Sequence, residues 1–132
     1  MKLYESVYVV RQDIPLEELK KTEEKYESLL KLKKAIIEYK ENWGLRGLAY
    51  KIKNNKKGYY FMLVYNAEND AVEEFERKLK IDEDIIRFLT TRIDKIPEEP
   101  SPIMKAKIEK ENTENMVKET NMNKPAENIN EK

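Results

Sequence analysis

The chain has 132 residues with 26 basic and 26 acidic side chains, so a net charge of zero hides any local imbalance. It holds no cysteine and no histidine, which removes disulfides, thiolate nucleophiles, zinc–sulfur sites and the commonest general base. The length suits one domain with an appendage. No apolar run approaches the ~18 residues of a membrane span, and no signal-peptide core follows Met1-Lys2; a cytosolic protein without metal or cofactor is expected.

"LYESVYVV" (Leu3–Val10) is rich in tyrosine and valine and reads as a strand. "DIPLEELKKTEEKYESLLKLK" (Asp13–Lys33) opens with Asp13 as a capping residue and Pro15 in the first turn. Leu16, Leu19, Tyr26, Leu29 and Leu30 then form an apolar stripe at helical spacing. "AIIEYKENWGLRGLAYKIK" (Ala35–Lys53) is a long strand in which Gly44 and Gly47 allow a bulge or bend. "NNKKG" is read as the turn and "YYFMLVY" (Tyr59–Tyr65) as the next strand. "DAVEEFERKLK" (Asp70–Lys80) fits a capping box, Asp70 with Glu73, ahead of a stripe of Val72, Phe75 and Leu79. "IIRFLTTRI" (Ile85–Ile93) sets arginines among apolar residues in a last strand. The order β-α-β-β-α-β is the ferredoxin-like plan of the α+β class, a four-stranded antiparallel sheet with two helices on one face.

From Pro97 the periodicity stops. Four of the five prolines lie in the last thirty-six residues, beside six asparagines. Such a segment buries too little apolar surface to offset its ordering entropy. The expectation is a folded domain over 1–96 and a disordered charged tail over 97–132, with a transient helix in Ile103–Lys118 as the alternative.

The plan leaves one sheet face without helices, and that face should be polar at every second position. Tyr59–Tyr65 is apolar on both sides. Tyrosines do make good strand residues at a wet surface, but aromatic and methionine side chains are also enriched at interfaces. Between Lys40 and Lys57, six basic residues face one acid, a bias that suits a phosphate backbone as well as a solvated hairpin.

"Gly44-Leu45-Arg46-Gly47-Leu48-Ala49-Tyr50-Lys51-Ile52-Lys53" resembles the signature of the bacterial small-subunit ribosomal protein S-six family. One position departs: Gly47 stands where that family usually has a polar or charged residue. "Met1-Lys2-Leu3-Tyr4-Glu5" is similar to its opening, "Gly58-Tyr59-Tyr60" to its third strand, and "Ile86-Arg87" with "Arg92" to its last. The likeness covers about residues 1–95. It implies a structural constituent of the small ribosomal subunit, not an enzyme. Its partners would be the central domain of the small-subunit RNA and the eighteenth small-subunit protein. With the charge pattern it nominates Lys2, Tyr4, Arg46, Arg87 and Arg92 for RNA, with Lys51 and Lys53 on the hairpin as further candidates. By the same resemblance Phe61, Leu63 and Tyr65 belong to the core, leaving Tyr60 and Met62 on the open face to meet the partner protein.

Rival readings share the topology. "Lys57-Gly58-Tyr59-Tyr60-Phe61-Met62" partly resembles the octamer of RNA-recognition motifs, whose aromatics stack single-stranded bases. Tyr60 stands where that motif needs a small residue, and Val64 replaces its final aromatic. An acylphosphatase-like enzyme would want a glycine-rich anion loop after the first strand, and "Arg11-Gln12-Asp13-Ile14-Pro15" has no glycine. A dimeric small-molecule sensor is a further option, without a pocket signature.

Overall fold

The protein is described by a computed structural model over residues 1–106. Six elements follow in order: β1 (Lys2–Arg11), α1 (Leu16–Leu32), β2 (Ile36–Ile52), β3 (Asn55–Ala67), α2 (Asn69–Ile81) and β4 (Ile85–Arg92). The sheet order is β2-β3-β1-β4, with every neighbouring pair antiparallel. That is the ferredoxin-like arrangement expected from the pattern.

Alternation along the central strands sorts their side chains. Tyr8 and Val10 of β1 and Phe61, Leu63 and Tyr65 of β3 join Tyr26, Leu30, Phe75 and Leu79 of the helices in one core. Aromatic rings run through it in sequence. Tyr4 lies 6.0 Å from Tyr65, Tyr65 5.8 Å from Phe75, Phe75 5.7 Å from Tyr26, Tyr26 5.4 Å from Tyr8, and Tyr8 5.3 Å from Phe61. Offset and edge-on pairs of this kind add to the stabilisation from burial itself. Tyr26 Oη donates to Asp82 Oδ2 at 2.6 Å, tying α1 to the residue after α2.

Local details differ from the expected ones. Asp13 does not cap α1: the N-cap is Pro15, without a side-chain cap bond, and Asp13 instead pairs with Arg11 at 2.9 Å. Leu16 is exposed, while Thr22, Tyr26 and Leu30 make the buried stripe at a four-residue spacing. The helix ends with Lys34 in the left-handed region at φ 65°; Lys34 N–H donates to Lys31 and Ala35 N–H to Leu30. Asp70 does not cap α2 either, since the N-cap is Glu68 and Asp70 already sits in the first turn. There its charge favours the positive end of the helix dipole.

The β2–β3 turn is tighter than "NNKKG". Ile52 pairs with Asn55, and the two residues between them, Lys53 and Asn54, have φ of 49° and 66°. Two consecutive left-handed residues are what a two-residue hairpin loop requires. Lys56, Lys57 and Gly58 are therefore strand residues. Gly58 is needed there for space: a Cβ would meet Val9 Cγ1 at 2.4 Å and the Val10 carbonyl oxygen at 3.1 Å.

The described residues divide into two units, 1–98 and the residues from Glu99 on. In the second, residues 102–106 are helical, with Lys105 N–H donating to Ser101 O at 2.8 Å. Most of the expected tail lies outside the described residues. No helix among the described residues is long and apolar enough to cross a membrane.

Candidate nucleic-acid and partner interface

β2 supplies the first feature of the open face. A bulge between Asn42 and Gly44 inserts Trp43 as an extra residue. Gly44 N–H bonds Asn42 Oδ1 at 2.9 Å, and Gly44 takes φ 77°, which glycine tolerates. The bulge lays Trp43 on Tyr60, with ring centroids 6.0 Å apart and planes at 24°. At the edge of the indole, Trp43 Nε1–H donates to Glu41 Oε1 at 2.6 Å, and Tyr39 Oη donates to Glu41 Oε2 at 2.5 Å. Glu41 is a buried carboxylate and stands opposite Met62 in the ladder. Its bond holds the Tyr39 phenol in the neutral form and pushes its pKa up to about 12.

Tyr60 is half-buried on this face and lines a cavity of about 270 Å³ with Val7, Val9, Arg87, Phe88 and Leu89. The ladder explains the grouping, because Val9 of β1 pairs with Tyr60 on one side and Arg87 on the other. A residue nominated for RNA and one nominated for a partner protein therefore share one groove. Met62 needs correction. It lies on the open face as expected but is only 2% exposed. A central strand is flanked on both sides, and here Val7 and Glu41 stand opposite Met62 in the neighbouring strands. The side chain is packed, not presented.

The remaining RNA candidates fall at opposite ends of the sheet. Lys2, Tyr4 and Arg92 meet where β1 begins, lining a cavity of about 530 Å³ with Met1, Ala67, Glu68 and Asn69. Tyr4 and Arg92 are ladder partners there. Arg46 sits opposite Gly58, which in turn pairs with Arg11 at the far end of β1. Lys51 and Lys53 lie beyond that point, on the hairpin tip. Lys2, Arg46, Lys51, Lys53, Arg87 and Arg92 are all exposed, and none forms an ion pair among the described residues. The structure thus separates the seven candidates into a strand-end group, an open-face residue and a hairpin group.

Sequence reasoning missed the Tyr39–Glu41–Trp43 cluster. Its signal was available in "EYKENW": residues at alternating positions share a strand face, and an acid between two aromatic donors can serve both. A cavity of about 610 Å³ also opens beside the helix ends, lined by Leu29, Leu32 and Ile81. Its Lys25 and Tyr26 are both already bonded to Asp82. No group of carboxylates among the described residues is arranged to hold a metal ion.

Comparison with known proteins agrees with this architecture. The family model for ribosomal protein S6 matches residues 3–92. The small ribosomal subunit protein bS6 of Rickettsia prowazekii (strain Madrid E) is 49% identical over 105 residues, 80% of this chain and 87% of that protein. Its counterpart in Rickettsia bellii (strain RML369-C) is 48% identical over 105 residues, 80% of this chain and 88% of the relative. The crystal structure of 30S ribosomal protein S6 from Thermotoga maritima superposes with a TM-score of 0.67 at 27% identity, covering 70% of this chain and 87% of that one. The chain belongs to the ribosomal protein S6 family, whose members are structural proteins of the small ribosomal subunit.

Proposed function

We propose that the protein binds the central domain of small-subunit ribosomal RNA jointly with the eighteenth small-subunit protein. It would work as a scaffold that holds an RNA junction, without chemistry of its own. The observation that carries the reading is the open-face groove, where half-buried Tyr60 and exposed Arg87 flank Val9 on a sheet surface that the helices leave bare. An aromatic anchor beside an arginine is the composition of an interface hot spot. Exposed cations toward both ends of the sheet, which form no ion pair among the described residues, suit phosphate contacts, and such contacts position a protein on RNA without a base code.

The RNA-recognition-motif alternative fares worse. Its octamer would use Tyr59 and Phe61 to stack bases, yet Phe61 is buried in the helix-side core and Tyr59 packs against it.

Gel-shift titration of a central-domain transcript tests the proposal, with this protein alone and with the eighteenth protein added. The pair should bind at least tenfold more tightly than either protein alone, and Tyr60→Ala should abolish that gain. A pair that binds no better than its members would overturn the joint reading.

A further inference from the structure

The sequence from Arg46 to Lys57 contains five cations and no acid. In the fold this stretch is an arm. Pairing between β1 and β3 ends at Arg11 with Gly58, whereas β2 and β3 go on pairing with each other through Gly47 and Lys57 to Ile52 and Asn55. Beyond Gly58 the ribbon therefore has two strands and no third among the described residues. Two-stranded ribbons gain little from burial, and Tyr50, at 63% exposure, is not packed away. Two bonds to Gln12 fasten the arm, one near its base at Lys57 and one at Asn55 beside the turn. Lys57 N–H donates to Gln12 Oε1 at 3.0 Å and Gln12 N–H to Asn55 Oδ1 at 3.2 Å.

Charge is distributed unevenly along this axis. At the base, Arg11 is neutralised by Asp84 at 2.6 Å and Asp13 at 2.9 Å. Outward from it, Arg46, Lys51, Lys53, Lys56 and Lys57 are exposed and form no ion pair among the described residues. At the other end of β1, Lys2 and Arg92 are in the same condition around the 530 Å³ cavity. Seven residue steps separate the Tyr4–Arg92 pair from the Arg11–Gly58 pair. At about 3.3 Å per residue that is roughly 23 Å, and the arm extends it by about 13 Å more. Both spans exceed the screening length of about 8 Å at physiological salt.

We infer that the chain is a two-ended strut for RNA, with Lys2 and Arg92 taking the phosphates of one segment and the arm, through Lys51, Lys53, Lys56 and Lys57, those of another. The inference rests on the RNA reading above and adds the geometry of engagement. One contiguous patch would give one footprint. Two cationic ends a strand length apart, with Arg87 of the open-face groove between them, join two backbones at a fixed spacing set by the sheet. Duplex RNA suits such ends, since it is recognised largely through its shape and its phosphate and ribose contacts.

Hydroxyl-radical footprinting and salt titration of a central-domain transcript test this, using the full chain with the eighteenth protein present. The arm variant carries Lys51→Ala, Lys53→Ala, Lys56→Ala and Lys57→Ala; the end variant carries Lys2→Ala and Arg92→Ala. Each should bind at least tenfold more weakly, and the arm variant should lose about two or more from the slope of log affinity against log salt. Arginine at the same four arm positions should restore both values. The two variants should lose protection at different, non-overlapping stretches of RNA. An arm variant with wild-type slope and footprint overturns the strut and leaves the RNA reading standing. Loss of the same nucleotides in both variants also overturns it. If the wild-type protein protects nothing, the RNA reading and the strut both fall.

Discussion

Trp43 rests on Tyr60 with its indole N–H held by Glu41 at 2.6 Å, so one buried carboxylate sets the position of an aromatic pair on the open face. Glu41→Ala removes the acceptor for both Trp43 and Tyr39. The expected cost is about 1–3 kcal/mol of folding stability, the range for stranding a buried polar group, read from urea unfolding. Trp43 is the only tryptophan, so its emission reports the same event directly and should shift to the red. A variant with unchanged emission and stability would show that the carboxylate does not position the ring.

Alternation along β3 separates pairing from folding. Tyr60→Ala should leave the monomer folded and weaken association with the eighteenth protein by about 2 kcal/mol or more, as hot-spot truncations do. Phe61→Ala should cost about 3 kcal/mol or more of folding stability, because it empties a site between Tyr8 and the helix layer. Met62→Ala belongs with Phe61: a methionine 2% exposed should lose about 2 kcal/mol or more on truncation. Calorimetric titration for pairing and denaturant unfolding for stability check the three together.

Two tyrosines of the core should respond in opposite directions to loss of their hydroxyl groups. Tyr26 Oη is bonded to the Asp82 carboxylate, and Tyr26→Phe should cost about 1.5–3 kcal/mol, the range for a bond to a charged group. Tyr8 Oη is buried and finds no partner among the described residues. Tyr8→Phe should therefore be neutral or stabilising by about 1 kcal/mol. Chemical denaturation of the pair decides it, and a strongly destabilised Tyr8→Phe would contradict the burial of an unpaired hydroxyl.

Stability should hold steady from about pH 6 to pH 9 and fall on both sides. Tyr8, Tyr26, Tyr39 and Tyr65 all have raised pKa values. Burial is the leading cause for Tyr8, Tyr26 and Tyr65, and the bond to Glu41 for Tyr39; Tyr39 and Tyr65 reach about 12. Unfolded phenols release their protons near pH 10. Between pH 10 and 12 the unfolded chain thus binds fewer protons than the folded one, and stability falls as pH rises. For Asp82, burial pushes upward, but bonds from Lys25, Tyr26 and the Asp84 N–H outweigh it and hold the carboxyl below its usual value. Its contribution is present above about pH 4 and is lost as pH drops through the folded value. Glu23, raised by burial and by Glu27, works weakly in the opposite sense near its own titration. Unfolding midpoints measured across pH at constant ionic strength check the profile.

The element order was legible because it rests on periodicity, which every residue of a strand or helix helps to report; β3 is apolar on both faces, so its core set was legible through the family resemblance instead. Single-residue features were less so. Asp13 and Asp70 look like caps by type, yet each helix start is set where the neighbouring backbone turns, at Pro15 and Glu68. "NNKKG" drew attention to Gly58, but that glycine is required by the approach of β1, while the turn is made by Lys53 and Asn54. The exposure of Met62 could not be read from alternation, which assigns a face but not the bulk of the neighbours on it. The RNA candidates were nominated one by one along the chain; only the register reveals that Arg46 and Arg92 stand at opposite ends of β1.

Two glycines eleven positions apart live under different constraints. At Gly58 even a methyl group collides with Val9 and the Val10 backbone, whereas a Cβ at Gly47 meets nothing within 4 Å. Selection at position 58 is thus imposed by the chain itself, in every cell and whatever it binds. Position 47 is open to drift as far as the fold is concerned. Divergence there among related sequences would record the history of what lies against the arm, and invariance at 58 would carry no such record.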